Sequence, residues 1–296
     1  MQSQALDLRG ACLVLGSATV WSFGGAIARY LSVSDSWTVV FWRSVFACTF
    51  LLAFMLWQHG SQGTQRLFRA MGWAGIGVGL CFATASTCFV VALSYTTVAN
   101  VLLLQAGVPL MAALVSFVLF REHVPRATWI AIAAVIAGVA VMVSESLGGN
   151  VSPIGDGLAL MVALAFAGAT VITRRRAHVA MMPAVCLGTL IAACVSGAMA
   201  QGFAVNAVDG VLLFAFGALN LGLGLALFVT GVRLLPSAVA ALIGIAEPVL
   251  GPLWVWLVHN EIPSQRTLLG GTIVFLALLA HIVWQLQQAR TESTAE

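Results

Sequence analysis

The sequence predicts an all-α integral membrane protein of ten transmembrane helices, built as two inverted five-helix repeats with both termini cytoplasmic. Three observations predict it: an excess of apolar residues, ten apolar stretches of spanning length, and an internal repeat whose loop charges invert. Of 296 residues, 61% are hydrophobic and 8% charged, and the mean hydropathy is +1.03. So few polar side chains cannot clothe a water-soluble globule, so most of the surface must meet lipid. A hydrocarbon core of roughly 30 Å takes about 20 apolar residues per helix, which gives this chain length for about ten spans in one bundle.

The apolar stretches of the first half run over residues 10–31, 36–57, 70–93, 98–120 and 127–144. A break rich in Gly, Ser and Asp covers 145–156, and the second half supplies 157–173, 180–202, 210–232, 236–258 and 267–283. The expected organisation is a first repeat over residues 1–146, a second over 154–289, and a cytoplasmic tail over 290–296. Arg9, the apolar run after it and the small residues Ala26 and Ala28 could imitate a secretory signal. That run is longer than a usual signal core, so an uncleaved first span is expected.

The basic residues are all arginines, 13 in number, and the net charge is +3. With the N-terminus inside, Arg9, Arg66, Arg69, Arg121, Arg126, Arg174, Arg175, Arg176, Arg233 and Arg290 fall at inside ends or loops, against Arg29 and Arg266 outside and Arg43 within the second span. This asymmetry orients both termini inward. The arginines are mostly single and carry no nucleic-acid footprint. Cys12, Cys48, Cys81, Cys88, Cys186 and Cys194 lie in apolar stretches without metal or redox spacing. No cofactor or metal is expected.

Shifting the chain by 139 residues lays 98–138 over 237–277 without a gap, with seven of the 41 positions identical. Pro109 meets Pro248 at mid-helix, and Glu122 meets Glu261 at the exit of the same helix. Five helices per repeat put equivalent loops on opposite faces, so their charges should differ. Arg121 and Arg126 align with Asn260 and Gln265, and Ser94 aligns with Arg233; Ala127 against Arg266 is the counterexample. Inverted repeats of this kind mark transporters, because related halves can exchange conformations around one site.

Pro109 followed by Phe120-Arg121-Glu122, Ala246-Glu247-Pro248-Val249 followed by Asn260-Glu261, and Phe41-Trp42-Arg43 in the second span together resemble the drug/metabolite transporter superfamily, in its ten-helix EamA-type branch. The likeness covers nearly the whole chain. It implies a secondary transporter that exports small polar metabolites, amino acids first among them and aromatic or other neutral ones included, across the bacterial inner membrane by alternating access. The alternative is a multidrug or organic-cation exporter of the same fold, and an intramembrane enzyme is more distant. The motifs mark scaffold rather than cargo.

The residues that could carry transport follow from burial cost. Glu247 is the one acid at the centre of a span, where an ionised carboxylate costs roughly 2.5 to 3.5 kcal/mol on insertion scales. It could meet a substrate amine or a proton, or be a protonated structural carboxyl. Arg43 lies about 10 Å deep by helical rise; it could pair with Glu247, hold a substrate carboxylate, or snorkel. Pro109 and Pro248 leave the carbonyls of Gln105 and Gly244 without their N–H partner and should kink their helices. Asn100, Gln105 and Ser86 give the third and fourth spans a polar face and Asn220 does so for the eighth; interhelical hydrogen bonds explain them equally well. Trp42 and Tyr95 could stack on a ligand or belong to the interfacial belt.

An enzyme would need convergent acids, histidines or a metal set. His59, His123, His178, His259 and His281 are scattered near span ends, and no HExxH or phosphate loop is present. The expected partners are a small-molecule substrate and membrane lipid, with a monomer sufficient and the oligomeric state open. Single cysteines introduced at positions 145 and 174 of a cysteine-free variant are expected to react with an impermeant maleimide from opposite sides of the membrane. Labelling of both from one side would overturn the inverted repeat.

Overall fold

The structure, a computed structural model, describes the backbone of residues 7–121, 124–147, 152–176, 181–232, 234–235 and 237–295. Glu122, His123, His178 and Arg233, and the side chains of Glu145 and Arg174, lie outside the described residues. Every regular element among those described is a helix. Among the described residues nine stretches are long and apolar enough to cross a membrane, and a bent pair makes up to ten.

The first span is α1 (Leu8–Ser22) and α2 (Gly24–Tyr30), the second α3 (Ser36–Ala70), and the third α4 (Gly72–Ala92). The fourth is α5 (Val98–Ala106) and α6 (Val108–Phe120), set at 49°, and the fifth is α7 (Arg126–Leu147). The sixth and seventh are α8 (Pro153–Arg175) and α9 (Met181–Met199). The eighth joins α10 (Ala207–Phe214), a π-helical stretch (Ala215–Leu223) and α11 (Gly224–Val232). The ninth is α12 (Ser237–Gly244) with α13 (Ala246–His259), and the tenth α14 (Gln265–Ala295).

Capping side chains stand where several spans start. Asp7 accepts the N–H groups of Arg9 and Gly10 at the head of α1, and Asp35 those of Trp37 and Thr38 at the head of α3. Thr97 and Asn206 do the same for α5 and α10, satisfying donors that a helix start leaves free. The second helix runs past the expected residue 57: Gly60, at φ 66°, turns the chain, and the helix resumes to Ala70. Glycine takes that backbone without steric penalty.

The repeat is visible in the backbone. The helices that contain the two prolines, α6 and α13, both end on a residue in the left-handed region, Arg121 (φ 52°) and Asn260 (φ 53°), at positions the 139-residue shift relates. Packing follows the same symmetry, since helices of each half pack mainly on the other half. The third span packs on the sixth and seventh as the eighth packs on the first and second, and the fourth meets the sixth as the ninth meets the first. The second pairs with the seventh, and the fifth with the tenth. Five crossings per half set the halves in opposite senses.

Backbones approach closely where α7 crosses α14. A side chain at Gly138 or Gly270 would strike the other residue's carbonyl oxygen, and such small-residue contact replaces the hydrophobic drive that helices lack in lipid. Gly138→Val is expected to destabilise by about 1 to 3 kcal/mol through overpacking, read as a lower melting temperature in detergent. Gly157→Ala, where an added methyl meets open space, should leave that temperature unchanged or raise it.

Candidate functional site

The first span breaks at Phe23, and the eighth span holds the break. Asn220, buried in the π-helical stretch, donates from Nδ2 to the carbonyls of Val20 at 2.6 Å and Trp21 at 3.2 Å. On the other side Trp254 of α13 donates its Nε1–H to the Ser22 hydroxyl at 2.9 Å, and its ring stacks on Phe23 at 4.9 Å. A Cβ on Gly251 would collide with Leu102 of α5. Positions 247, 251 and 254 share one side of α13, which turns Glu247 toward the first and fourth spans. Glu247 is half-buried and makes no hydrogen bond or ion pair with another described residue.

The fourth span bends at Gly107, two residues before Pro109, which occupies the first turn of α6 where its missing N–H costs least. Leu110, Ala113 and Leu114 pack toward the fifth and tenth spans, and Met111, Ala112 and Val115 toward the sixth. Pro109 stays exposed on the remaining side, and Gln105, one turn earlier, is half-buried. In the ninth span the break falls at Ile245, and Pro248 lies in the first turn of α13.

Arg43 is buried, with 6% exposure. Its Nη1 donates to the Ser86 hydroxyl at 2.8 Å, and its guanidinium lies 4.3 Å from the ring centre of Phe216 and 5.6 Å from that of Phe89. The expected alternative of a pair with Glu247 is corrected, because among the described residues the ion pair is Arg29–Glu261 instead. The reason is placement: the second span packs on the seventh and eighth, and the ninth on the first and fourth. Snorkelling is corrected too, since the guanidinium turns inward onto Ser86.

The remaining expected residues are spread out. Asn100 lies in the first turn of α5 and donates to Thr96 and to Asp156 at the head of α8, an interhelical bond at the face opposite the termini. Trp42 donates to the carbonyl of Phe203 at 3.1 Å and stacks on Phe46, near the same face. Tyr95 is exposed in the link between the third and fourth spans. The structure therefore brings Ser86 to Arg43 but does not bring Trp42, Tyr95 or Asn100 to Glu247.

Sequence reasoning missed the partners that hold that face together. Arg29 donates to Glu261 at 2.8 Å and to the carbonyls of Leu93 (2.7 Å) and Thr96 (3.0 Å), while the second Glu261 oxygen accepts the Val98 N–H at 2.8 Å. Four spans meet there. Nearby, burial works against the charge of Asp35, yet bonds from the Thr38 hydroxyl and the N–H groups of Gln201, Trp37 and Thr38 hold its pKa below the usual value. The signal in sequence was a pair of end charges, which says nothing about a separation of 232 positions. A groove of about 560 Å³ lies between α1 and the ninth span and is lined by Leu8, Leu15, Leu242 and Val249 among other apolar residues. It holds none of the expected site residues.

The matching of a family model to both halves of this bundle of paired half-repeats makes it a membrane transporter of the drug/metabolite class. The chain belongs to the EamA-like transporter family, which matches residues 8–144 and 153–282. Among curated proteins none matches. One solved structure, described only as the crystal structure of a protein, superposes with a TM-score of 0.62 at 18% identity, covering 91% of this chain and 95% of its own; that likeness concerns the fold alone.

Arg29→Gln and Glu261→Gln are each expected to lower the melting temperature. The double variant should cost about 1 kcal/mol less than the sum of the two, the coupling of a half-exposed ion pair, measured as a double-mutant cycle.

Proposed function

We propose that this protein is a secondary transporter that exports small polar metabolites, neutral and aromatic amino acids first among them, from the cytoplasm across a bacterial inner membrane. The observation that carries the reading is the unpartnered Glu247 carboxyl in the middle of the ninth span, turned toward the broken first span and the bent fourth. A polar group at that depth has a function or a partner, and here no described residue supplies the partner. In this reading the site is bounded by the third, fourth, eighth and ninth spans, with Glu247 and Gln105 on one side, Arg43 and Ser86 on another, and Pro109 and Pro248 shaping its walls.

Transport proceeds by alternating access, the two sets of helices rocking around the fixed site. The cluster of Arg29, Glu261, Leu93, Thr96 and Val98 is the closed gate of the state described, on the side opposite the termini. The arginine bias of the loops supports placing the termini in the cytoplasm, so that gate faces outward and the site is reached from inside. Export then requires the cluster to part.

Reconstituted in vesicles, the protein should exchange labelled phenylalanine or another neutral amino acid against unlabelled internal ligand. No counterflow across a broad amino-acid and metabolite panel would sink the reading, and exchange of organic cations alone would favour a multidrug exporter. If Glu247 carries the coupling proton, Glu247→Gln should insert normally and abolish the pH dependence of flux; an unchanged pH profile removes that role.

A further inference from the structure

The guanidinium of Arg43 is one polar group inside the bundle that the fold does not use up. One terminal nitrogen, Nη1, is committed to Ser86 at 2.8 Å. Nε is buried and has no partner, and Nη2 donates to no described residue. These two nitrogens are not scattered: Nε–H and the adjacent Nη2–H lie along one edge of the planar group and point the same way, the fork that accepts two carboxylate oxygens side by side.

The surroundings hold this fork in place without neutralising it. Phe216 covers one region of the cation at 4.3 Å and Phe89 flanks it at 5.6 Å. The backbone of the second span is pinned beside it, since a Cβ on Gly217 of the π-helical stretch would collide with the Arg43 carbonyl oxygen. The acids near the outer ends of these helices are engaged elsewhere: Glu261 with Arg29, Asp209 with Ser32 and Asn206, and Asp35 with its own helix and Gln201; the unpartnered Glu247 hangs on the ninth span, which packs on the first and fourth and not on the second. A positive charge kept in a low-dielectric interior with most of its N–H donors idle favours an anion that completes it. It lies between the third and eighth spans, which the transport reading above makes walls of the site.

We infer that the Nε–Nη2 edge of Arg43 receives the carboxylate of the transported solute, with Ser86 orienting the guanidinium and the ring of Phe216 stacking on it. This rests on the transport reading above and narrows it: the solute carries a carboxylate, and amines that lack one are excluded. Arg43 is then the residue that separates amino acids from organic cations. A resident inorganic anion could satisfy the same edge, so the source of the negative charge is part of the test.

The experiment pairs counterflow in proteoliposomes with thermal stabilisation of the purified protein, using phenylalanine, phenylalaninamide and phenethylamine as probes, at low and at high chloride. Phenylalanine should exchange and stabilise, and the two probes without a carboxylate should do neither. Arg43→Gln should raise the KM for phenylalanine about tenfold or more, the loss of a charge-assisted pair of hydrogen bonds, and Arg43→Lys should recover part of it because charge returns without the fork. Wild-type protein that exchanges phenethylamine and phenylalanine equally well overturns the inference and leaves transport standing; no folded variant is needed for that arm. Stabilisation that follows chloride and ignores the carboxylate also overturns it. Carboxylate-dependent stabilisation lost in Arg43→Gln, without counterflow of any probe, would uphold the Arg43 site and remove the transport reading instead.

Discussion

A hydrocarbon solvent offers no hydrogen bonds, and that constraint organises this molecule more than any single contact. Every backbone N–H and C=O within the bilayer must find a partner inside the protein, so each departure from regular helix has to be repaired by a neighbour. The break at Phe23 is repaired by the Asn220 amide and braced by the indole of Trp254 on Ser22. The π-helical stretch that delivers Asn220 also carries Phe216 to Arg43. One irregular segment of the eighth span thus serves both the broken first span and the buried cation.

The same constraint explains why the two halves interlock instead of standing side by side. Within lipid a helix gains little by hiding an apolar face, and stability comes from close approach, small residues and a few polar ties. The strongest of these ties join helices of different halves: Arg29 to Glu261, Asn220 to Val20 and Trp21, Asn100 to Asp156, Trp254 to Ser22. A transporter assembled in this way cannot shift one half without reworking contacts in the other.

The spans, their number and the duplication were legible because they rest on local quantities: apolar length, loop charge, and recurrence of Pro109 and Glu122 at Pro248 and Glu261. Glu247 was legible for a similar reason, as a lone acid in an apolar run. What the sequence could not disclose was pairing. Arg43 and Glu247 stand at neighbouring depths in a linear reading, but they hang on helices with different neighbours, and depth alone does not report azimuth. Asn100 read as a lining amide because its fourth-span position is polar, yet its place in the first turn of α5 leaves it at the helix end with Asp156 within reach. The fourth span's bend was foreseen at Pro109 and falls at Gly107, since a proline strains the turn that precedes it. The π-helical insertion left no sign beyond glycines at 217, 222 and 224.

The left-handed caps at Arg121 and Asn260 hold a tension between two kinds of fitness. Asparagine tolerates that backbone, whereas for arginine it costs roughly 1 to 2 kcal/mol. A duplicated ancestor would have carried one residue at both places, and each copy then answered to a different side of the membrane. An arginine at such a corner trades a firmer turn for a positive charge at the membrane edge, so replacing Arg121 by asparagine would ease the backbone and remove one of the charges that bias which way the chain enters the lipid.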